Sequence, residues 1–220
     1  MRQEKTMPDM PWITESAPGS PRCRLRYQRR ALLALACAGI LTLGLAGCKN
    51  PPKFDGNDIT GSPIGRDMAM VDSSGHLRTL ADYRGKVLVV YFGYTHCPDV
   101  CPTAMAELAA AMRMLGSEAK KVQVIMITVD PARDTGPVMQ TYAQAFYPSF
   151  IGLTGTAEQL RKTARSFGAY YAKGPEPTPG NYSMNHSSSF YLLDQQGKPR
   201  VLLPSTAPAK YVVHDIRQLF

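Results

Sequence analysis

A three-layer α/β/α sandwich around a mixed sheet is the fold class the sequence predicts, and three observations predict it. Lys86–Phe92 and Val122–Val129 are short, β-branched, almost uniformly apolar runs, the pattern of strands buried on both faces. Each is followed by a segment with helical signals. Thr103–Leu115 places Met105, Leu108, Met112 and Leu115 one helical turn apart, and Val138–Phe146 follows the second run. Finally, Ser189–Asp194, Gln195–Lys198 and Pro199–Leu203 read as strand, turn, strand, which adds antiparallel pairing to the parallel crossovers.

The remaining elements fall between these. Gly93–Pro102 is a loop or helix entry, and Gly116 ends the first helix. Asp130–Pro137 is a loop with helix-start chemistry. Phe150–Leu153 is a third strand, Glu158–Phe167 a third helix, and Ala209–Leu219 a closing helix. The region around Met68–Val71 offers one more strand. A cysteine pair at the end of the first central strand, opening a helix, is the arrangement of thioredoxin-like folds. In such sheets the active groups gather at the carboxyl ends of the strands, which here carry Cys97, Cys101 and Asp130.

The first fifty residues read as an address. Arg22, Arg24, Arg26, Arg29 and Arg30 precede seventeen uncharged residues, Ala31 to Gly47, the order of a secretory signal. The run ends Leu45-Ala46-Gly47-Cys48, which resembles the lipobox of bacterial lipoproteins, whose Cys is lipidated and becomes the mature N-terminus. Residues 1–47 are therefore expected to be a signal peptide. Residues 48–65 would be a lipidated N-terminus and flexible tether, and 66–220 the thioredoxin-like domain. An uncleaved membrane anchor is the alternative, because seventeen residues lie at the lower limit of a span. Either way the domain is expected outside the cytoplasm and tied to the membrane, on the periplasmic side where there are two membranes.

Charge follows the same division. Residues 1–47 hold seven Lys/Arg against three Asp/Glu, and 49–220 hold eighteen against fourteen, so half of the net +8 lies in the leader. No dense basic stripe with interleaved aromatics is present, and a nucleic-acid partner is not expected. A hydrophobic fraction of 44% likewise excludes a mostly disordered chain.

Five cysteines then reduce to two. Cys23 and Cys37 leave with the signal and Cys48 takes the lipid. Cys97 and Cys101 remain, too close in sequence for a disulfide between them to remove much chain entropy. If the helix begins by Cys97, the pair shares one face, within reach of a disulfide or of one ion. A helix N-terminus favours thiolate, which both chemistries require. Two soft sulfurs favour Cu(I), and an imidazole adds affinity for Cu(II). His186, just before the Ser189–Asp194 strand, is the best third ligand, because that loop faces the cysteines in a thioredoxin-like topology. Among the methionines, only Met184 sits near such a site.

Tyr94-Thr95-His96-Cys97-Pro98-Asp99-Val100-Cys101-Pro102 and Val129-Asp130-Pro131-Ala132-Arg133-Asp134-Thr135 are strongly similar to the Sco/SenC family of copper-binding thioredoxin-fold proteins. The resemblance covers roughly residues 60–220. It implies copper ligation by Cys97, Cys101 and His186. It also implies a role in delivering copper to the binuclear centre of cytochrome c oxidase, or in keeping that centre's thiols reduced. Another copper-accepting or cysteine-bearing protein is the alternative partner. The family usually has Asp directly before the ligand His, and this chain has Asn185, which keeps a carbonyl and loses a charge. Asp99, Asp130, Arg133, Asp134 and Asn185 are expected either to support the ligands from behind or to form a docking surface. Helix capping by Asp134 or Thr135 is the structural alternative. A thiol–disulfide oxidoreductase, using Cys97 and Cys101 as a redox-active disulfide, is the competing function. A peroxidase is disfavoured because Tyr94 stands where Thr or Ser would precede the reactive Cys.

Overall fold

Every residue of β4 (Val87–Gly93) and β5 (Val122–Thr128) is buried, which explains their unbroken apolar character. The computed structural model describes residues 51–220, and Pro52–Phe220 forms one compact unit. The expected signal peptide and Cys48 lie outside the described residues. Around the central pair run β1 (Asn57–Asp58), β6 (Ile151–Leu153), β9 (Ser189–Leu193) and β10 (Pro199–Pro204). The sheet order is β1-β10-β9-β4-β5-β6. β4, β5 and β6 are parallel, while β9 pairs antiparallel with β4 and β10, and β1 with β10. The mixed sheet of the sequence reading is thus present.

Among the described residues four α-helices cover it: α1 (Val100–Leu115), α2 (Gly136–Phe146), α3 (Ala157–Phe167) and α4 (Ala209–Arg217). By the right-handed rule for parallel crossovers, β4–α1–β5 and β5–α2–β6 put α1 and α2 on one face, and α1 touches both α2 and α4. The opposite face holds α3, whose Phe167 ring meets Phe92 and Tyr191 edge-on at 5.5 and 5.3 Å. β2 (Ala69–Val71) pairs with β3 (Leu77–Thr79) as a separate hairpin packed on α3, so the expected extra strand exists but does not join the central sheet. α3 carries a capping box between Thr156 and Gln159 and ends at left-handed Gly168.

Two boundaries bear on the site and the tether. α1 starts at Val100, three residues before the expected Thr103, so it takes in Cys101 while Cys97 stays in the turn before it, and the condition that the helix begins by Cys97 is not met. The ordered domain also begins earlier than residue 66. Asn57 and Asp58 pair with Leu202 and Val201, and the Asp215 carboxylate accepts hydrogen bonds from the Asp55 and Gly56 amides. Two polar residues carry no strand signal of their own; the β10 edge supplies it.

Among the described residues no helix is long and apolar enough to cross a membrane.

Candidate metal centre

The carboxyl ends of β4 and β5 and the start of antiparallel β9 meet at one pole of the sheet, and there the predicted ligands converge. β4 delivers the Tyr94–Asp99 turn. Cys101 follows in the first turn of α1 and is fully buried, while Cys97 is partly exposed. Both are free thiols. The Cys101 amide donates to Cys97 Sγ at 3.3 Å, so the sulfur outside the helix is the one that caps its N-terminus.

His186 is not in a loop. It ends β8 (Met184–His186), which pairs with β7 (Tyr171–Lys173) in a two-stranded ribbon, with His186 opposite Tyr171. Its Nδ1 lies 2.9 Å from the Ser187 carbonyl oxygen. A carbonyl only accepts, so Nδ1 carries the hydrogen and Nε2 keeps its lone pair. Nε2 stands 3.5 Å from Cys101 Sγ, and the ligand atoms of Cys97, Cys101 and His186 all lie within 4.8 Å of one another. The Tyr91 and Tyr94 rings meet the imidazole nearly perpendicularly at 6.2 and 5.9 Å. A cleft of about 320 Å³, lined by Tyr94, Cys97, Pro98, Asp99, Met184 and His186 among others, opens the group to solvent.

Burial sets the protonation states. It pushes the Cys101 thiol up to about 12 and holds His186 below its ordinary value, with the Ser187 carbonyl opposing the latter shift. The metal-free centre therefore presents a neutral imidazole beside a protonated Cys101, which must release its proton to ligate a metal.

The sequence-predicted companions divide into two groups. Asp134 is fully buried and caps no helix; Thr135 occupies the N-cap of α2 without a side-chain cap bond. Instead Asp134 accepts from the Thr95 amide (3.1 Å), the Thr128 hydroxyl (2.7 Å) and the Thr95 hydroxyl, fixing the turn that leads to Cys97. Asp130 is buried too. It accepts from the Tyr182 hydroxyl at 2.9 Å and pairs with Arg133 Nε. The Arg133 guanidinium lies 3.7 Å over the Tyr182 ring and donates to the Gly180 carbonyl. Asp130 and Arg133 thus hold the segment that runs into β8 and His186. Asp99 is exposed at the N-cap of α1, its carbonyl taken by Thr103, and Asn185 is exposed at the cleft rim. Tyr182 and Ser187 escaped the sequence reading; an aromatic or a backbone carbonyl near a ligand has no signature of its own.

Fold and centre together define a class: a thioredoxin-like α/β domain that presents two thiols and an imidazole, a soft-metal or redox donor set, at the carboxyl pole of its sheet. The SCO1/SenC family model matches residues 57–220, and the chain belongs to that family. It is 43% identical over 133 residues to the bovine (Bos taurus) mitochondrial SCO2 homolog, covering 60% of this chain and 50% of that protein. The chain thus spans about half of that relative's length. Among solved structures, copper-bound ScoI of Bradyrhizobium japonicum superposes with a TM-score of 0.66 at 34% identity, over 71% of this chain and 99% of that one. Copper-bound yeast Sco1 gives 0.65 at 32% identity, over 70% and 87%.

Proposed function

We propose that this protein is a membrane-tethered, extracytoplasmic copper metallochaperone. It holds Cu(I) or Cu(II) as cargo through Cys97, Cys101 and His186 and passes it to the binuclear copper site of cytochrome c oxidase. The observation that carries this reading is the convergence of the two thiols with an imidazole whose Nε2 lone pair faces them. The donor set fits copper: thiolates suit Cu(I), and the imidazole extends the site to Cu(II). Copper-bound relatives at 34% and 32% identity support the same cargo. Cys97, partly exposed, is the group an acceptor's cysteine reaches first, so release begins there by ligand exchange, with Cys101 and His186 yielding later. Asp134 positions the Cys97 turn, and Asp130 with Arg133 positions His186. Asp99 and Asn185 stand at the rim, where an acceptor docks. Lipid on Cys48 holds the domain at the membrane.

The experiment is an anaerobic competition titration of the reduced protein with Cu(I) against His186→Ala. One equivalent bound tightly by the parent and at least tenfold more weakly by the variant, about 1.4 kcal/mol, is expected. Equal, weak binding by both removes His186 from the site.

That second outcome favours the alternative, a thiol–disulfide oxidoreductase. The amide-capped, accessible Cys97 sulfur supports it. The Cys97 thiolate attacks a partner disulfide, forming a mixed disulfide and releasing one partner thiolate. Cys101, deprotonated, then attacks Cys97 Sγ and releases the second. Two electrons pass to the partner, and a Cys97–Cys101 disulfide remains.

A further inference from the structure

Away from the thiols, three polar side chains converge where the chain enters the domain. His214, in the last turn of α4, has Nδ1 3.0 Å from Asp215 Oδ1 and 3.0 Å from Asp55 Oδ2. Asp215 is completely buried and cannot move away, because its two oxygens hold the amides of Asp55 (2.7 Å) and Gly56 (2.9 Å). Those same bonds fix the backbone that carries the Asp55 carboxylate. The cluster is therefore built from a rigid member outward.

An ion pair accounts for it incompletely. A ring nitrogen carries at most one hydrogen, yet Nδ1 faces two carboxylates at equal distance. One hydrogen satisfies one of them and leaves the other beside a like charge. With a protonated ring the trio still bears one net negative charge. A divalent cation held by neutral imidazole and both carboxylates brings it to zero. Metal–oxygen and metal–nitrogen bonds of about 2.1 Å at tetrahedral angles set ligand atoms about 3.4 Å apart. The contacts to Nδ1 need open by only a few tenths of an ångström. All three ligand atoms lie within 4.8 Å of one another, and the 38% and 44% exposure of Asp55 and His214 leaves room for entry and for water as a further ligand.

We propose that Asp55, His214 and Asp215 form a second cation site, which takes a borderline divalent metal such as Zn²⁺ or Cu²⁺ and pins the entry strand to α4. One nitrogen and two oxygens disfavour Cu(I), so this site does not compete with the thiol centre for that ion. Nothing in this inference depends on the role of Cys97, Cys101 or His186.

The test uses the full chain carrying Cys97→Ser and Cys101→Ser, titrated with Zn²⁺ against a chromophoric chelator. His214→Ala and Asp55→Asn, both partly exposed, are introduced separately, and circular dichroism checks folding. Each is expected to remove one equivalent or to weaken it at least tenfold. Zn²⁺ should also slow hydrogen exchange at the Asp55 and Gly56 amides in the parent and not in His214→Ala. Binding that is absent from the parent, or unchanged in both variants, overturns the site.

Discussion

A Cβ on Gly93 would stand 3.0 Å from Cys101 Sγ and 2.9 Å from both the Tyr91 ring and Met126 Cε. The methionine terminus can swing aside. The ring and the buried thiol cannot, so the missing carbon is the space the thiol occupies. Gly93→Ala should therefore fold with native secondary structure and bind Cu(I) at least about tenfold more weakly, because Cys101, a ligand in the proposed site, is displaced. Circular dichroism and the competition titration read the two effects separately. Parental affinity in a folded Gly93→Ala protein would show that Cys101 Sγ has slack the packing denies. The sequence offered Gly93 only as the first residue of the loop after a strand. Its role depends on a side chain eight residues on, in the first turn of α1. The cysteines themselves were legible because their spacing beside a strand end is chemically unusual. For Asp134 the sequence could not separate support of the ligands from helix capping, because its partner Thr95 lies 39 residues away.

β7 and β8 illustrate what periodicity misses at the scale of an element. Met184-Asn185-His186 has neither alternation nor branching to mark a strand. It becomes one by pairing with Tyr171–Lys173, and its approach is held by Tyr182 against Asp130 and Arg133. β4 and β5 were legible because burial on both faces writes a continuous apolar run into the sequence. Short ribbons stabilised by one neighbour leave no such record. The consequence is testable. Tyr182→Phe removes the hydroxyl that Asp130 accepts and keeps the ring under Arg133. Amide exchange across 184–186 should accelerate, and Cu(I) affinity should fall by about tenfold, as is typical when a group supporting a metal ligand is lost. Tyr182→Ala, which also removes the stacked ring, should lose more. Unchanged exchange in both variants would mean that the ribbon is held by its own pairing and that Asp130 and Arg133 do not position His186.

For the whole molecule, the metal-free centre is a source of pH-dependent instability. Burial holds His186 below its ordinary value of 6.5, so the unfolded chain takes up that proton more readily. The stability this neutral ring permits is complete above 6.5 and declines as pH falls below it. Cys101 acts on the other side. Its thiol is raised from 9.0 to about 12, so between those values the unfolded chain ionises while the folded one does not. Stability is complete below 9.0 and declines as pH rises towards 12. Tyr83, raised from 10.0 to about 12 by burial, steepens the decline above 10. The reduced, metal-free protein should thus show a plateau in Tm between about 6.5 and 9, with the acid shoulder and the onset of the alkaline one set by groups that lie where a metal would bind. Thermal melts of the protein, His186→Gln and Cys101→Ala across pH 5 to 11 check this. His186→Gln should flatten the acid shoulder relative to the parent, and Cys101→Ala the alkaline one between 9 and 10, before Tyr83 contributes. If Cys101 and His186 ligate as proposed, Cu(I) should flatten the acid shoulder and the alkaline one below pH 10 in the parent, since a ligating thiolate and imidazole no longer bind protons. Curves that stay parallel in all three proteins would place the pH dependence elsewhere in the fold and leave the centre with no share in stability.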